Sequence, residues 1–180
     1  MGGRVTTSRI GIRRDRLAGD TNRGYGVVAA AFRVGLRVAD VVAAADLYRG
    51  FGFDDVGSIS GPDGGPVMTI LQRGEVQLIV DALVGMPFAD SARERLTQSG
   101  PRGLGVAVGL SVDDLEASYE YCRTAGCTIT AEPTDEPWGD RVFECVDPFG
   151  YQWEFSVPIK DWGAAAGLGA AEHSWFGNDA

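Results

Sequence analysis

The chain has 180 residues, of which 44% are apolar, 23% are charged and 26 are glycine, and its formal net charge is −9. This composition excludes a collagen-like, disordered or membrane-spanning protein and indicates one soluble globular unit. No run of about 18 apolar residues occurs, and no apolar leader follows the N-terminus, so we expect a cytoplasmic protein.

The charge is unevenly distributed along the chain. Residues 1–30 contain six arginines, whereas residues 31–180 contain ten basic and 23 acidic side chains and carry −13. An acidic body disfavours nucleic acid as a partner and favours a neutral or cationic ligand. Simple solubility explains the same excess of acidic groups.

Histidine and cysteine are both scarce. The single histidine, His173, lies near the C-terminus, which excludes mechanisms that need a fixed histidine base or a multi-histidine metal site. Cys122, Cys127 and Cys145 are odd in number and lack paired CxxC spacing, so we predict reduced core thiols rather than disulfides or structural zinc ligands.

The chain begins with an Arg-rich stretch without periodicity, and we predict a flexible extension over 1–30. FRVGLRV (32–38) alternates as a half-buried strand does, with Arg33, Gly35 and Arg37 on one face. Asp40 is placed to cap the helix that follows, and Gly52 is placed to end it. Residues 53–82 then read as three further strands separated by turns.

The same pattern recurs later in the chain. VGLRVADVVAAADLYRGFG (34–52) and VGLSVDDLEASYEYCRTAG (108–126) share eight identities in 19 positions, with Asp114 and Gly126 at the two helix ends. We therefore predict a domain over 31–158 built from two βαβββ units, at about 32–82 and 105–157. The predicted fold is α+β, a cupped, partly open barrel with helices on the outer face and the ligand in the cup.

Two further segments complete the chain. The connector 83–104 is longer than a minimal link, and ADSARERLTQ within it predicts a short helix, so it is a candidate lid or interface element. Residues 159–180 are Gly/Ala-rich and predict a flexible tail. Phe88, Trp138 and Phe149 occupy loops, where they either form a ligand wall or pack within their turns.

VGLRVADVVAAADLYRGFGF, its repeat VDDLEASYEYCRTAGC and the closing DPFGYQWEFSVP together resemble the vicinal oxygen chelate superfamily over residues 32–157. That group includes glyoxalase I, extradiol dioxygenases, fosfomycin-resistance transferases and bleomycin-resistance proteins. The resemblance implies metal ligands on the first and last strands of each unit. The matching positions here are Arg33, Ala107, Gln77 and Glu154, where Gln77 is preferred to Leu78 because Val76, Leu78 and Val80 match the helix-facing set.

Both first-strand positions lack the histidine that the family's metal enzymes usually have. Glu154, with Gln77 as a neutral oxygen ligand, is then the centre of any metal site, and a guanidinium at Arg33 disfavours a divalent cation beside it. Glu144 and Asp81 are alternative ligands. We expect no cofactor, with a divalent metal as the less favoured alternative.

The resemblance implies a metal-free protein of the bleomycin-resistance kind, a homodimer that sequesters a hydrophobic or cationic compound and thereby confers antibiotic resistance without catalysis. The alternatives are a glyoxalase- or dioxygenase-like metalloenzyme centred on Glu154 and a dimeric interaction module without a small ligand. Neither nucleic acid nor membrane is an expected partner. The predicted ligand-binding residues are Arg33, Arg37, Gln77, Phe88, Trp138, Phe149 and Glu154.

Two questions remain open at the level of sequence. The identity of the ligand depends on loop conformations, and the same pattern serves two units that pair within one chain or between two chains.

Overall fold

The computed structural model describes residue 30 and residues 32–159. The predicted extension 1–30 lies outside this range except for its last residue. The predicted tail 159–180, with His173, lies outside it except for Ile159.

The described chain contains two similar units joined by a connector with one helix. Unit 1 comprises β1 (Phe32–Val38), α1 (Val41–Gly50), β2 (Asp54–Ser60), β3 (Pro66–Arg73) and β4 (Val76–Ala82). The connector carries α2 (Ser91–Ser99), as predicted. Unit 2 comprises β5 (Ala107–Ser111), α3 (Leu115–Thr124), β6 (Thr128–Asp135), β7 (Asp140–Val146) and β8 (Gln152–Pro158).

Each unit forms its own four-stranded mixed sheet. The strand order is β1-β4-β3-β2 in sheet 1 and β5-β8-β7-β6 in sheet 2, and in each sheet the first two strands of the order are parallel and the remaining pairs antiparallel. The predicted α+β fold of two βαβββ units is confirmed. The sheets are cupped and do not close into barrels.

The predicted helix caps are present in both units. The carboxylates of Asp40 and Asp114 accept hydrogen bonds at 2.9 Å from the backbone N–H three residues later, which satisfies a donor that the first helical turn leaves free. At the other ends, Gly52 and Gly126 have φ of 91° and 87°, a left-handed conformation that favours glycine.

One hydrophobic core joins the two units. The Phe51 ring, which follows α1, lies 5.0 Å from the rings of both Trp153 and Phe155 on β8. The hydroxyl of Tyr121 on α3 donates to the carbonyl of Leu47 on α1. The units therefore pack through their helix-bearing faces.

The most heavily used polar group in this core is the carboxylate of Asp147, which is 4% exposed. Its Oδ2 accepts hydrogen bonds at 2.8 Å from the Tyr48 hydroxyl of unit 1 and from the Trp153 indole N–H of unit 2. Its Oδ1 accepts the backbone N–H groups of Phe149 and Tyr151 at 2.9 and 3.0 Å. Both oxygens are thus engaged, and one of them links the two units.

Tyr48→Phe is expected to destabilise the protein by about 1–3 kcal/mol, because it removes one bond to a buried carboxylate. Burial, together with the adjacent Asp147 charge, raises the pKa of Tyr48 above its ordinary value. The stability that this hydroxyl contributes is therefore present below about pH 10 and is lost as pH rises further.

Denaturant melts from pH 7 to 11 test this expectation. The loss of stability at high pH should be smaller in Tyr48→Phe but not absent, since burial also raises the pKa of Tyr121 and Tyr151. Tyr119→Phe is the control, because its hydroxyl bonds the exposed Glu132. Equal stability of Tyr48→Phe and wild type at neutral pH would contradict the role assigned to the Asp147 linkage.

Candidate functional site

Each sheet has one face that carries no helix. Leu36, Val38, Leu78 and Val80 of sheet 1 are buried in the core, so the alternate side chains of β1 and β4 point to the other side. We call that side open face 1, and its β1 and β4 members are Arg33, Gly35, Arg37, Gln77, Ile79 and Asp81. The corresponding side of sheet 2, open face 2, carries Ala107, Gly109, Ser111, Gln152, Glu154 and Ser156 on β5 and β8.

Both open faces have room above them within one chain. Gly35 and Gly109 are exposed, and a Cβ built on either would meet no described atom within 4 Å. Because the helix-bearing faces share one core, the two open faces lie on opposite sides of that core. The chain therefore does not close a cup between its own two sheets.

Gln77 lies on open face 1, as predicted. Its Cα partners are Arg33 on β1 and Gln72 on β3, and its amide donates to the Gln72 side-chain oxygen at 3.0 Å. Leu78 is 0% exposed and packs in the core. Gln77 is itself only 1% exposed, so it is the alternation along β4 that places Gln77 on open face 1 and Leu78 on the core side.

Arg37 holds the connector against sheet 1. Its guanidinium donates to the carbonyls of Ala82 and Pro87 at 3.2 and 3.0 Å, its Nε lies 3.6 Å from Asp81, and its Cζ lies 4.4 Å from the centre of the Phe88 ring. The structure thus brings together two predicted ligand residues, Arg37 and Phe88. Because they contact each other, both side chains help to hold the connector against sheet 1.

Asp81 also lies on open face 1. The sequence predicts it only as an alternative metal ligand. Burial raises the pKa of this carboxyl, although the nearby Arg37 charge opposes the shift. Its Oδ1 is buried and has no hydrogen-bond partner. A buried acceptor without a donor is costly, and a ligand carrying a donor or a positive charge would satisfy it. The signal in the sequence was the alternation that places Asp81 on the same face as Gln77.

Open face 2 is acidic at its centre. Glu154 on β8 lies between Gly109 on β5 and Glu144 on β7, and the Glu144 carboxylate accepts a hydrogen bond at 2.7 Å from Gln152. Two neighbouring carboxylates with one amide donor leave this face negative. It therefore suits a cationic group.

Gln77 and Glu154 do not occupy equivalent positions in the two sheets. Arg33 lies opposite Gln77, whereas its counterpart Ala107 lies opposite Gln152. Glu154 thus corresponds to Ile79, two residues further along the strand. The two last-strand side chains singled out from the sequence stand at different levels of their sheets.

The predicted aromatic wall is divided among three places. Phe149 is half-buried on the helix-bearing side, 6.4 Å from the Tyr48 ring, and it borders a surface hollow of about 480 Å³ beside residues 99–105. Trp138 is 39% exposed in the turn between β6 and β7. Phe88 lies beside Arg37.

The side chains at the expected metal positions do not fit a divalent ion. They comprise a guanidinium, a methyl group, an amide and one carboxylate, at Arg33, Ala107, Gln77 and Glu154. On the open faces, the described residues include no group of three acidic, histidine or cysteine side chains close enough to share an ion. These side chains therefore do not support a catalytic step through a divalent ion.

Arg33 and Glu154 carry opposite charges and occupy two of the expected metal positions, so an ion pair between them would replace a metal ion. None of the ion pairs within residues 32–159 joins them, because they lie on opposite sides of the core. Arg33 is exposed and Glu154 half-buried. A contact between them requires two chains.

The cysteines are free, as predicted, and Cys122 and Cys145 are fully buried. Sequence reasoning missed that all three sulfurs meet in unit 2. The available signal was the spacing of Cys122 and Cys127 around Gly126, since the glycine turn at a helix end brings such residues together.

Comparison with known proteins agrees with this architecture. Residues 30–155 match the model of the Glyoxalase/Bleomycin resistance protein/Dioxygenase superfamily. The chain belongs to this superfamily. An uncharacterized protein of Mycobacterium bovis is 30% identical over 128 residues, which cover 70% of this chain and 82% of that protein, and an uncharacterized protein of Mycobacterium tuberculosis is 30% identical with 73% of its length covered.

Two solved structures show the same fold. TioX from Micromonospora sp. ML1 is 25% identical with a TM-score of 0.53, covering 71% of this chain and 98% of TioX. A glyoxalase/bleomycin resistance protein/dioxygenase family enzyme from Burkholderia phytofirmans PsJN is 21% identical with a TM-score of 0.53, covering 69% and 94%. Within the described residues, no helix has both the length and the apolar character needed to cross a membrane.

Arg37→Ala is expected to lower the free energy of unfolding by about 1–3 kcal/mol, since it frees two carbonyls and leaves Asp81 without its cation. It should also release the connector near residues 83–90. Arg95→Ala, which removes an exposed guanidinium of α2 outside the proposed cup, should change stability by less than about 0.5 kcal/mol. Denaturant melts and limited proteolysis measure both effects, and equal proteolysis of the two variants would contradict the anchoring role of Arg37.

Proposed function

We propose that the protein is a metal-free small-molecule-binding member of its superfamily, of the bleomycin-resistance kind, which sequesters a cationic compound with an apolar body. The site is a cup formed when open face 1 of one protomer covers open face 2 of a second copy. A homodimer of this type contains two equivalent cups.

The observation that carries the proposal is the buried, unpartnered Oδ1 of Asp81 on open face 1. Such an oxygen is stabilised by a donor from outside the chain, and a cation supplies both a donor and the opposite charge. Ile79 lies between Gln77 and Asp81 on the same face and provides an apolar surface for the apolar body of the ligand. We also expect Trp138 and Phe88 to contact the apolar body of the ligand.

The charges of the two faces support their pairing across a dimer. Arg33 is exposed on open face 1 and makes no ion pair within the described residues, whereas open face 2 carries Glu144 and Glu154. Opposite charges on two surfaces favour their association and fix their orientation. In the dimer Arg33 would reach the acidic face that it cannot reach in its own chain.

Binding without catalysis is part of the proposal, and the chemistry of the cup residues supports it. No histidine lies among its residues, and a guanidinium stands where the superfamily's metal enzymes hold a ligand. Binding and sequestration need only the complementary shape and charge that the two faces offer. Protection of the cell against a toxic compound is the physiological role proposed with this activity, in the cytoplasm.

The proposal is tested by three measurements on the purified full-length chain. Sedimentation should show a dimer, elemental analysis should show less than stoichiometric metal, and cationic amphiphiles should raise the melting temperature more than neutral analogues of the same shape. A stoichiometric divalent metal at the open faces would favour the metalloenzyme centred on Glu154. A dimer that responds to no compound would favour the interaction module.

Asp81→Asn should weaken binding of a cationic ligand by about tenfold to a hundredfold, because it removes the charge that the ligand meets. Because the pKa of Asp81 is raised by burial, affinity for the cation in wild type should begin to fall at a higher pH than for an ordinary carboxyl group of pKa about 3.9. Glu75→Gln, an equal change of charge in the exposed turn after β3, is the control. Calorimetric titration measures both variants, and unchanged affinity in Asp81→Asn would contradict the proposed role of Asp81.

A further inference from the structure

Three cysteines meet on the helix-bearing side of sheet 2, away from the proposed cup. The Sγ atoms of Cys122, Cys127 and Cys145 all lie within 4.8 Å of one another. Cys122 belongs to α3, Cys127 follows that helix, and Cys145 lies in β7. The chain contains no other cysteine.

The backbone places these sulfurs together. After α3 the chain turns at Gly126, whose φ is 87°, and the backbone N–H of Cys127 donates to the carbonyl of Cys122 at 3.0 Å. In this kind of helix end the side chains of those two positions commonly contact each other. Cys145 lies opposite Trp153 in the register and faces the helix from the sheet.

The fold does not require cysteine at these positions. Unit 1 ends its helix in the same way, with the N–H of Phe53 donating to the carbonyl of Tyr48, and the counterpart of Cys145 in its sheet is Leu71. All three counterparts are buried and close-packed. One unit of the chain thus fills the three positions with two aromatic side chains and a leucine, while the other places a sulfur at each.

The three thiols behave as one group. Hydrogen bonds from Cys122 and Cys145 lower the pKa of Cys127, and the bond to Cys127 raises the pKa of Cys122. The causes of these shifts therefore lie mainly in the other sulfurs of the cluster. No Lys or Arg among the described residues acts on the three thiols, so no protein cation competes with a metal ion for the sulfurs.

We propose that Cys122, Cys127 and Cys145 form a three-sulfur site for one monovalent thiophilic cation, Cu(I). Thiolate sulfur selects soft ions of this kind. If the ion–sulfur distance is about 2.3 Å, as for zinc, a flat three-coordinate ion holds its ligands about 4 Å apart. The sulfurs, already within 4.8 Å, then need to approach by less than about 1 Å.

Ligand type and ligand number favour Cu(I) over zinc. The sulfurs bind as thiolates, so the thiol protons are released as the ion binds, and a monovalent soft ion accepts a flat set of three such ligands. A structural zinc ion requires four ligands, and the acidic group that acts on the cluster is Asp147. Both oxygens of that carboxylate already accept hydrogen bonds from Tyr48, Trp153 and two backbone N–H groups.

Cys127 is the least buried residue of the cluster. It is half-buried, whereas Cys122 and Cys145 are 0% exposed, and the ligand atoms of all three are buried. An ion therefore reaches the sulfurs along a path that local opening of the chain around Cys127 provides. Because this path is on the helix-bearing side, the inference stands apart from the proposed ligand cup.

The test is an anaerobic titration of the reduced full-length protein with Cu(I) supplied from a coloured competing chelator. Wild type should withdraw one Cu(I) per chain, and X-ray absorption should show three sulfur neighbours. Cys127→Ala should bind at least tenfold more weakly, and the variant with all three cysteines changed to alanine should withdraw none. Circular dichroism establishes that each variant is folded.

A second measurement needs no variant. Iodoacetamide should modify Cys127 of the wild-type protein, and one equivalent of Cu(I) should prevent this. No withdrawal of copper by wild type, unprotected Cys127, or equal binding by the cysteine-free variant would overturn the proposal. Uptake of one Zn²⁺ with four ligands in preference to Cu(I) would overturn it as well.

Discussion

The structure depends on the buried carboxylate of Asp147, which binds a tyrosine hydroxyl from unit 1 and an indole N–H from unit 2 at the same oxygen. A buried charge is tolerated only where hydrogen bonds satisfy it, and here four donors do so. The position of Tyr48 relative to Trp153 is therefore tightly constrained. With it, the position of α1 relative to unit 2 is constrained too.

This packing decides where a ligand site is able to form. The apolar faces of both sheets are used in one shared core, so the opposite faces are turned away from each other. Their polar residues, Arg33 and Asp81 on one side and Glu144 and Glu154 on the other, meet only if a second chain is present. The proposed dimer and the proposed ligand cup thus both depend on how the core is built.

Much of the fold was predictable because its signals are local. The repeat, the alternation in β1 and the caps at Asp40 and Asp114 each depend on a few consecutive residues, and all are confirmed. The relation between the units depends on long-range contacts such as that between Tyr48 and Asp147, and nothing in the spacing of the sequence specifies them. The sequence likewise does not predict the unpartnered Oδ1 of Asp81 or the contact of Cys145 with the other two cysteines.

The central claim is that open face 1 of one chain covers open face 2 of another, with Arg33 against the acidic centre of that face. Sedimentation equilibrium of charge-exchanged variants tests it most directly. Arg33→Glu alone and Glu154→Arg alone should each weaken the dimer by about tenfold or more, since each places like charges together. The double exchange should restore it. Additive weakening in the double variant, or a dimer unaffected by either single change, would contradict the account.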